Sequence, residues 1–210
     1  MKSFELLSLI FIVIVASTER QQFCRVNASP EAILDTNGKK LRGGDHYYIL
    51  PFFSRNTGGL ALGNIQREYS NECPLNVVPE PYEYFNGLPT TFSPVNPKKG
   101  VIRVSTDLNI QFERNTMCAK STVWKISKFE QQYLVTIGGT KGDPGPETME
   151  NWFKIEKYNN NNIYKFVYCP TVCKYCKVMC KDVGIFVKNG RMALALSDAP
   201  FPVMFKKVYK

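Results

Sequence analysis

The sequence predicts an all-β protein, and three observations indicate that class. Short runs rich in aromatic and β-branched residues alternate with turn signals along the chain. The 14 glycines and 13 prolines are spread evenly, as in domains built from many short strands joined by turns. No long segment has the hydrophobic period of a helix. Because 210 residues are enough for one domain with a substantial core, we expect a single domain of barrel type.

The N-terminus has the pattern of a secretory signal peptide. Lys2 precedes an apolar run at 6–15, and small residues suited to cleavage follow it. The apolar run is too short to span a bilayer, and no other segment is long enough to do so. We therefore expect three segments: a signal peptide at 1–20, an N-terminal extension at 21–32 and one folded domain at 33–210.

Two turns open the domain before its first strand. Residues 35–38 read Asp-Thr-Asn-Gly, in which the aspartate can bond the backbone ahead of it and Asn-Gly tolerates positive φ. Residues 43–45, Gly-Gly-Asp, form a second turn and lead into an aromatic strand. The predicted strands are 46–53, 60–65, 76–78, 108–112, 121–126, 133–137, 152–155, 163–168, 184–187, 192–196 and 203–208.

A weak threefold rhythm runs through these strands. The stretches 33–92, 101–155 and 163–208 each begin with one strand pair and end with another. Three four-stranded units of this kind would make a trefoil. The units are too dissimilar in sequence to establish that fold by themselves.

Seven cysteines in a chain with a signal peptide predict disulfide bonds. Four of them have the spacing C-x3-C-x2-C-x3-C, which could also hold zinc in an all-thiolate site. Nested disulfides Cys169–Cys180 and Cys173–Cys176 are favoured over zinc, because the compartment oxidises thiols and no histidine lies nearby.

The remaining cysteines are Cys24, Cys73 and Cys118. A bond between Cys73 and Cys118 would close a loop of more than forty residues. In the chain-entropy model a crosslink of that length stabilises the fold by about 4 kcal/mol, against about 2 kcal/mol for the smallest loop. Cys24 is left over, and three fates stay open for it: removal with the N-terminus, a free thiol, or a bond between chains.

The chain is strongly basic, with a formal net charge of +9. From Lys165 to the C-terminus, nine Lys or Arg residues are balanced only by Asp182 and Asp198. The simplest interpretation is a solvated basic face that keeps the protein soluble. Attraction to anionic membranes, cell-wall polyanions or acidic partners is the functional alternative. Nucleic acid is disfavoured as a partner, because the chain is expected to be secreted and carries no nucleic-acid motif.

The residues indicate neither enzyme chemistry nor a cofactor or metal site. A Ser-His-Asp hydrolase would need His46, the only histidine, as its base, and no Gly-x-Ser-x-Gly motif accompanies it. No phosphate-binding glycine motif of the P-loop or Rossmann type is present. One glycosylation sequon begins at Asn27, and Pro30 directly after it is expected to lower its occupancy. We therefore expect a protein that is not an enzyme.

Stretches distributed from 33 to 208 resemble one known family. They include Cys-Pro-Leu at 73–75, Val-Ile-Arg-Val-Ser-Thr-Asp-Leu-Asn-Ile at 101–110 and Cys-Pro-Thr-Val-Cys at 169–173. The other matching stretches are 33–50, 77–78, 121–125, 133–139, 145–148, 152–156, 182–186 and 194–198. The sequence resembles the plant Kunitz-type (soybean trypsin inhibitor) family, in particular its miraculin-like branch.

This resemblance implies a β-trefoil fold with the disulfides Cys73–Cys118, Cys169–Cys180 and Cys173–Cys176. It also implies a secreted or vacuolar plant defence protein without an integral membrane segment. Such a protein is expected to act as a monomer on a target protease of the serine or cysteine type. In this family a stiff exposed loop enters the protease cleft as a substrate would, and its pre-organisation keeps the entropy cost of binding low.

The resemblance places the reactive loop within residues 93–100. Its candidate residues are Pro94, Val95, Asn96, Pro97, Lys98 and Lys99. The two prolines restrict φ and are expected to keep the loop extended. The side chain of either lysine could then enter a protease pocket with an acidic base.

Two positions depart from the family pattern. Strong trypsin inhibitors of the family carry Arg or Lys where this chain has Asn96, and an asparagine that braces the loop where this chain has Gly43. A second hypothesis is therefore a non-inhibitory binding or storage trefoil with a carbohydrate or protein ligand. A third hypothesis is action of the basic C-terminal region on microbial surfaces.

Overall fold

Twelve β-strands form the fold of the described residues, which are 29–53, 56–65, 73, 75–159 and 161–209 of a computed structural model. The expected signal peptide, Cys24 and the sequon at Asn27 lie outside the described residues. The strands are β1 (Tyr47–Pro51), β2 (Leu60–Gly63), β3 (Asn76–Pro79), β4 (Thr90–Pro94), β5 (Leu108–Phe112), β6 (Trp124–Phe129), β7 (Gln132–Ile137), β8 (Lys154–Lys157), β9 (Tyr164–Tyr168), β10 (Lys181–Lys188), β11 (Arg191–Ser197) and β12 (Val203–Lys207). No helix of this part of the chain is long and apolar enough to cross a membrane.

Six of these strands close into an antiparallel barrel. Strand β1 pairs with β12 and β4, β4 with β5, β8 with β9, and β9 with β12. The ring closes between β5 and β8, where the Leu108 N–H donates to the Phe153 carbonyl at 2.9 Å and the Phe153 N–H donates to the Leu108 carbonyl at 3.0 Å. A closed ring leaves no unpaired strand edge within the barrel.

The other six strands form three hairpins that cap the barrel. They are β2–β3, β6–β7 and β10–β11. The hairpins meet through Asn76 opposite Thr136 and through Leu134 opposite Ala195. Each unit of four consecutive strands thus contributes two barrel strands and one hairpin. This threefold arrangement is a β-trefoil, which confirms the predicted fold class.

The core of the barrel is largely aromatic. Trp124 lies at its centre, with ring centroids 5.4 Å from Phe112, 5.4 Å from Phe166 and 6.1 Å from Phe153. Phe205 is packed edge-on against the same cluster, and all five side chains are buried. Tilted and edge-to-face ring contacts of this kind add to the stabilisation that comes from burial alone.

Strand β4 was absent from the strands predicted by the sequence pattern. It pairs with β5 along its full length, from Thr90 opposite Phe112 to Pro94 opposite Leu108. The assignment of 93–100 to a loop is therefore wrong for Ser93 and Pro94, which lie in this strand. The strand ends in a proline, which has no N–H to donate to the neighbouring strand. A proline therefore argued against a strand at this point of the sequence.

Local turn and disulfide chemistry follow the sequence pattern closely. The Asp35 carboxylate accepts hydrogen bonds of 2.9 Å from the backbone N–H groups of Asn37 and Lys39, and Gly38 has a φ of 74°. The structure joins the three cysteine pairs that the resemblance implies, Cys73–Cys118, Cys169–Cys180 and Cys173–Cys176. The zinc alternative fails because its four sulfurs are bonded to one another in pairs.

Candidate functional site

The connection from β4 to β5 carries a short exposed tip that is held at both ends. At its start, the Val95 N–H donates to the Asp107 carbonyl at 2.8 Å. At its far end, the Gly43 N–H donates to the Gly100 carbonyl at 2.9 Å. Between these two bonds the side chains of Asn96, Pro97 and Lys98 are exposed. The candidate loop is thus a tip of four residues, 96–99, on a fixed base.

The tip is a single turn of 3-10 helix, Pro97–Lys99, capped by Asn96. The Asn96 backbone is extended, with φ −108° and ψ 96°, and its side-chain oxygen accepts the Lys98 N–H at 3.2 Å. Pro97 occupies the first helical position, where its fixed φ suits a helix as well as an extended chain. The extended shape expected for the whole loop is therefore wrong at 97–99, because the asparagine cap selects the helical alternative.

The six candidate residues occupy different environments. Pro94 is half-buried at the end of β4, and Val95 is half-buried directly after it. Lys98 is exposed on the tip and forms no ion pair with any described residue. Lys99 ends the helix, and Gly100 follows it with a φ of 57°.

Gly43 lies directly behind this loop, as the resemblance implied. A Cβ at Gly43 would lie 3.4 Å from the Phe92 carbonyl oxygen, 3.5 Å from Cδ of Pro94 and 3.8 Å from the Gly100 carbonyl oxygen. These are ordinary van der Waals distances, and the φ of Gly43 does not lie in the left-handed region. A Cβ would fit here, but glycine has none. Gly43 therefore supports the loop only through its backbone N–H.

Asp107 connects the loop to the disulfide-bonded segment 169–180. Its side chain is 5% exposed and accepts hydrogen bonds from the Thr171 N–H, at 3.1 Å, and from the Thr171 hydroxyl. The Lys154 ammonium lies 3.8 Å from the same carboxylate. Since the Asp107 carbonyl also accepts the Val95 N–H, one buried residue holds both segments. Sequence reasoning missed this role, because the partner Thr171 is 64 positions away.

The disulfide-bonded segment presents a second exposed surface. Lys174, Tyr175 and Lys177 are exposed on it, with Tyr175 at 84%. The basic C-terminal region is less uniform than its composition indicates, because four of its lysines form ion pairs with carboxylates. These pairs are Lys165–Asp182, Lys181–Asp198, Lys188–Glu130 and Lys207–Asp45.

A buried tyrosine supports the turn that lies behind the loop. The Tyr47 hydroxyl oxygen accepts the Arg42 N–H at 3.0 Å, next to Gly43. Burial raises the pKa of Tyr47, and the hydrogen bond from Arg42 opposes that rise. Burial, with a smaller contribution from the Glu150 carboxylate, raises the pKa of Tyr168 to about 12. Both hydroxyls are therefore neutral at physiological pH.

The site has the form of a binding surface rather than of a catalytic centre. His46 lies 3.8 Å from the Glu113 carboxylate, and both side chains are exposed, at 41% and 39%, so this contact lies on the surface and not in a cleft. Within the described ranges no group of three or more His, Cys, Asp or Glu residues could hold a metal ion. What the geometry offers is a short, rigid, cationic tip on a disulfide-bonded scaffold.

Comparison with known proteins identifies relatives along most of the chain. The family model described as trypsin and protease inhibitor, of the legume Kunitz type, matches residues 33–207. Miraculin from Synsepalum dulcificum is 44% identical, over 99% of this chain and 98% of its own length. Kunitz trypsin inhibitor 5 from Arabidopsis thaliana is 43% identical, over 87% of this chain and 88% of its own length.

A solved structure has the same fold. A Kunitz-type cysteine protease inhibitor from potato superposes with a TM-score of 0.74 and 32% sequence identity. The match covers 87% of this chain and all of the potato chain. The similarity therefore extends over the whole trefoil.

Proposed function

The chain belongs to the Kunitz family of trypsin and protease inhibitors, and we propose that it inhibits a protease by inserting the tip at 96–99 into the active-site cleft. Proteins of this family are inhibitors and not enzymes. The observation that supports the tip as the inhibitory element is its attachment at both ends. A loop fixed by the Val95–Asp107 and Gly43–Gly100 hydrogen bonds loses little conformational freedom when it binds.

We propose a serine protease of trypsin specificity as the first target, with Lys98 in the primary pocket. Its ammonium group is exposed and without an ion-pair partner among the described residues, so it is available to an acidic pocket. A substrate-like fit requires the 3-10 turn to open. One side-chain hydrogen bond caps that turn, and breaking it costs about 1 kcal/mol. We therefore expect inhibition weaker than that of family members with an extended loop.

The test is a panel of trypsin, subtilisin and papain with three forms of the protein. The wild type is compared with a Lys98→Ala/Lys99→Ala variant and with a control, Lys174→Ala/Lys177→Ala, which removes the same charge from the segment 169–180. We expect at least tenfold weaker trypsin inhibition in the loop variant and no change in the control. Full activity of all three proteases at micromolar inhibitor would refute the proposal.

A papain-type cysteine protease is the second target that we propose. The similarity to the potato inhibitor supports it, since the name of that protein states this activity. In this case papain inhibition persists in the loop variant, because another loop of the trefoil would make the contact. Mass spectrometry of the incubated inhibitor separates the two cases, since only the first produces a cut within 96–99.

A non-inhibitory binding or storage role is favoured by two features. The tip is helical instead of extended, and Gly43 provides no side chain behind it. A glycan array on the wild-type protein tests the carbohydrate version of this role. Binding of a glycan with no inhibition in the protease panel would favour it over the inhibitor.

We also propose that the protein is secreted or vacuolar and monomeric. Three disulfides support an oxidising compartment. N-terminal sequencing of the protein from plant tissue tests for removal of residues 1–20, and its intact mass reports on a glycan at Asn27 and on the state of Cys24. A mature chain that still begins at Met1 would contradict this proposal.

A further inference from the structure

Three aromatic side chains on the segment between β3 and β4 are exposed and in contact with one another. Tyr82, Tyr84 and Phe85 are 56%, 70% and 47% exposed. The rings of Tyr82 and Tyr84 are stacked, with centroids 5.5 Å apart at 16°, and Tyr84 and Phe85 have centroids 4.5 Å apart. We call these three residues the aromatic platform. Clustered exposed aromatic surface of this kind marks interaction sites.

The platform stands on a backbone that the fold holds rigidly. The Gly58 N–H donates to the Glu80 carbonyl and the Gly59 N–H donates to the Phe85 carbonyl, both at 2.8 Å, and the Glu80 N–H donates back to Gly59 at 2.9 Å. A Cβ on Gly58 would collide with the Tyr82 carbonyl oxygen. Such close approach needs glycine, and it leaves the platform little freedom to lose when a partner binds.

The segment that carries the platform is acidic, whereas the protein as a whole is basic. Glu80 precedes the three aromatic residues in the sequence, Glu83 lies between Tyr82 and Tyr84, and no Lys, Arg or His occurs from Pro79 to Pro89. Neither carboxylate forms an ion pair with a lysine or arginine of the described residues. Among the described residues, Lys206 contacts this segment and donates to the Asn86 side chain at 3.3 Å. An acidic aromatic surface thus lies on a chain of net charge +9.

We propose that the aromatic platform is a docking site for a segment of a partner protein that carries Lys or Arg side chains. Aromatic ring faces attract ammonium and guanidinium groups, and the carboxylates of Glu80 and Glu83, which have no ion-pair partner among the described residues, add charge complementarity. Strand β4 separates the platform from the tip at 96–99, and its five residues span roughly 14 Å. The platform therefore binds its partner at the opposite end of β4 from the proposed protease contact. This docking proposal does not depend on the proposed inhibition.

The probe is a fluorescent ten-residue peptide in which arginine alternates with glycine, with the same peptide carrying glutamate in place of arginine as its control. Anisotropy titration compares the wild type with Tyr82→Ala/Tyr84→Ala and Glu80→Gln/Glu83→Gln. Tyr175→Ala serves as the matched control, because it removes an exposed tyrosine elsewhere on the surface. We expect about tenfold weaker binding of the arginine peptide in the two double variants and none of this loss in Tyr175→Ala.

Three results would overturn the proposal. Equal affinity of all variants for the arginine peptide would show that the platform is not the site. Tighter binding of the glutamate peptide than of the arginine peptide would show that the net positive charge governs docking. Dimerisation in sedimentation velocity that is lost in the two double variants would assign the platform to a second copy of this chain. Trypsin inhibition, measured on the same proteins, is expected to stay unchanged in all variants, so failure here and failure of the proposed inhibition are separate outcomes.

Discussion

The substitution Asp107→Asn tests whether one buried residue joins the candidate loop to the disulfide-bonded segment, with its backbone carbonyl on Val95 and its carboxylate on Thr171. Asparagine keeps the size of the side chain and removes its charge. The two hydrogen bonds from Thr171 change from charge-assisted to neutral, a loss of about 1 kcal/mol each. The ammonium of Lys154, a side chain that is 11% exposed, loses the counter-charge that lies 3.8 Å away. This loss costs about 1–2 kcal/mol more.

The sum is about 3–4 kcal/mol, within the range of about 3–5 kcal/mol seen when one partner of a buried ion pair is removed. Urea denaturation measures the loss in the free energy of unfolding. Thr171→Val is the graded control, because it removes one hydroxyl hydrogen bond and leaves the ion pair and the backbone hydrogen bond in place. We expect it to lose about 1–2 kcal/mol.

The loop is expected to respond as well, because the Asp107 carbonyl accepts the Val95 N–H at 2.8 Å. Relaxation of Asp107 loosens the base of the tip, so trypsin cuts within 96–99 faster than in the wild type. Chromatography with mass detection measures that rate. An Asp107→Asn protein with the wild-type urea midpoint and the wild-type cutting rate would refute the reasoning, as would a larger loss in Thr171→Val.

Three further predictions concern the loop brace, the disulfides and alkaline pH. Gly43→Asn places a side chain against Phe92 and Pro94. We expect about fivefold tighter trypsin inhibition, equivalent to one hydrogen bond of about 1 kcal/mol. An unchanged inhibition constant would contradict the bracing role of this position. Replacing both Cys73 and Cys118 by alanine removes a crosslink with a sequence separation of 45 and is expected to lower the free energy of unfolding by about 4 kcal/mol. Removing the Cys173–Cys176 disulfide in the same way is expected to lower it by about 2 kcal/mol. Equal losses in denaturant titrations would exclude the chain-entropy explanation. The pKa of Tyr168 is near 10 in the unfolded chain and about 12 in the fold. Burial of the neutral hydroxyl therefore stabilises the fold fully below pH 10, and this stabilisation is lost as the pH rises to 12. Phenolate absorbance that develops fully at about pH 10 without unfolding would argue against that burial.

The sequence alone predicted features that depend on neighbouring residues. The aromatic and β-branched runs predicted eleven of the strands, and Asp35 with Gly38 predicted the first turn. Both follow from local sequence, because strand formation depends on the side-chain pattern and turn conformation on φ preference. The three disulfide pairs followed from cysteine spacing together with the resemblance to the family. Local pattern failed where proline permits two conformations, at the end of β4 and at Pro97.

Tertiary structure decided which distant residues support the two proposed surfaces. Asp107 meets Thr171 across 64 positions, Gly43 meets the loop at Gly100, and Gly58 meets the backbone beneath the aromatic platform. The partners in these contacts lie more than 20 positions apart in the chain, and they meet only when the strands between them have folded together. Periodicity and turn preference describe residues a few positions apart, so they carry no information about which partner a buried carboxylate or a glycine meets in the folded chain.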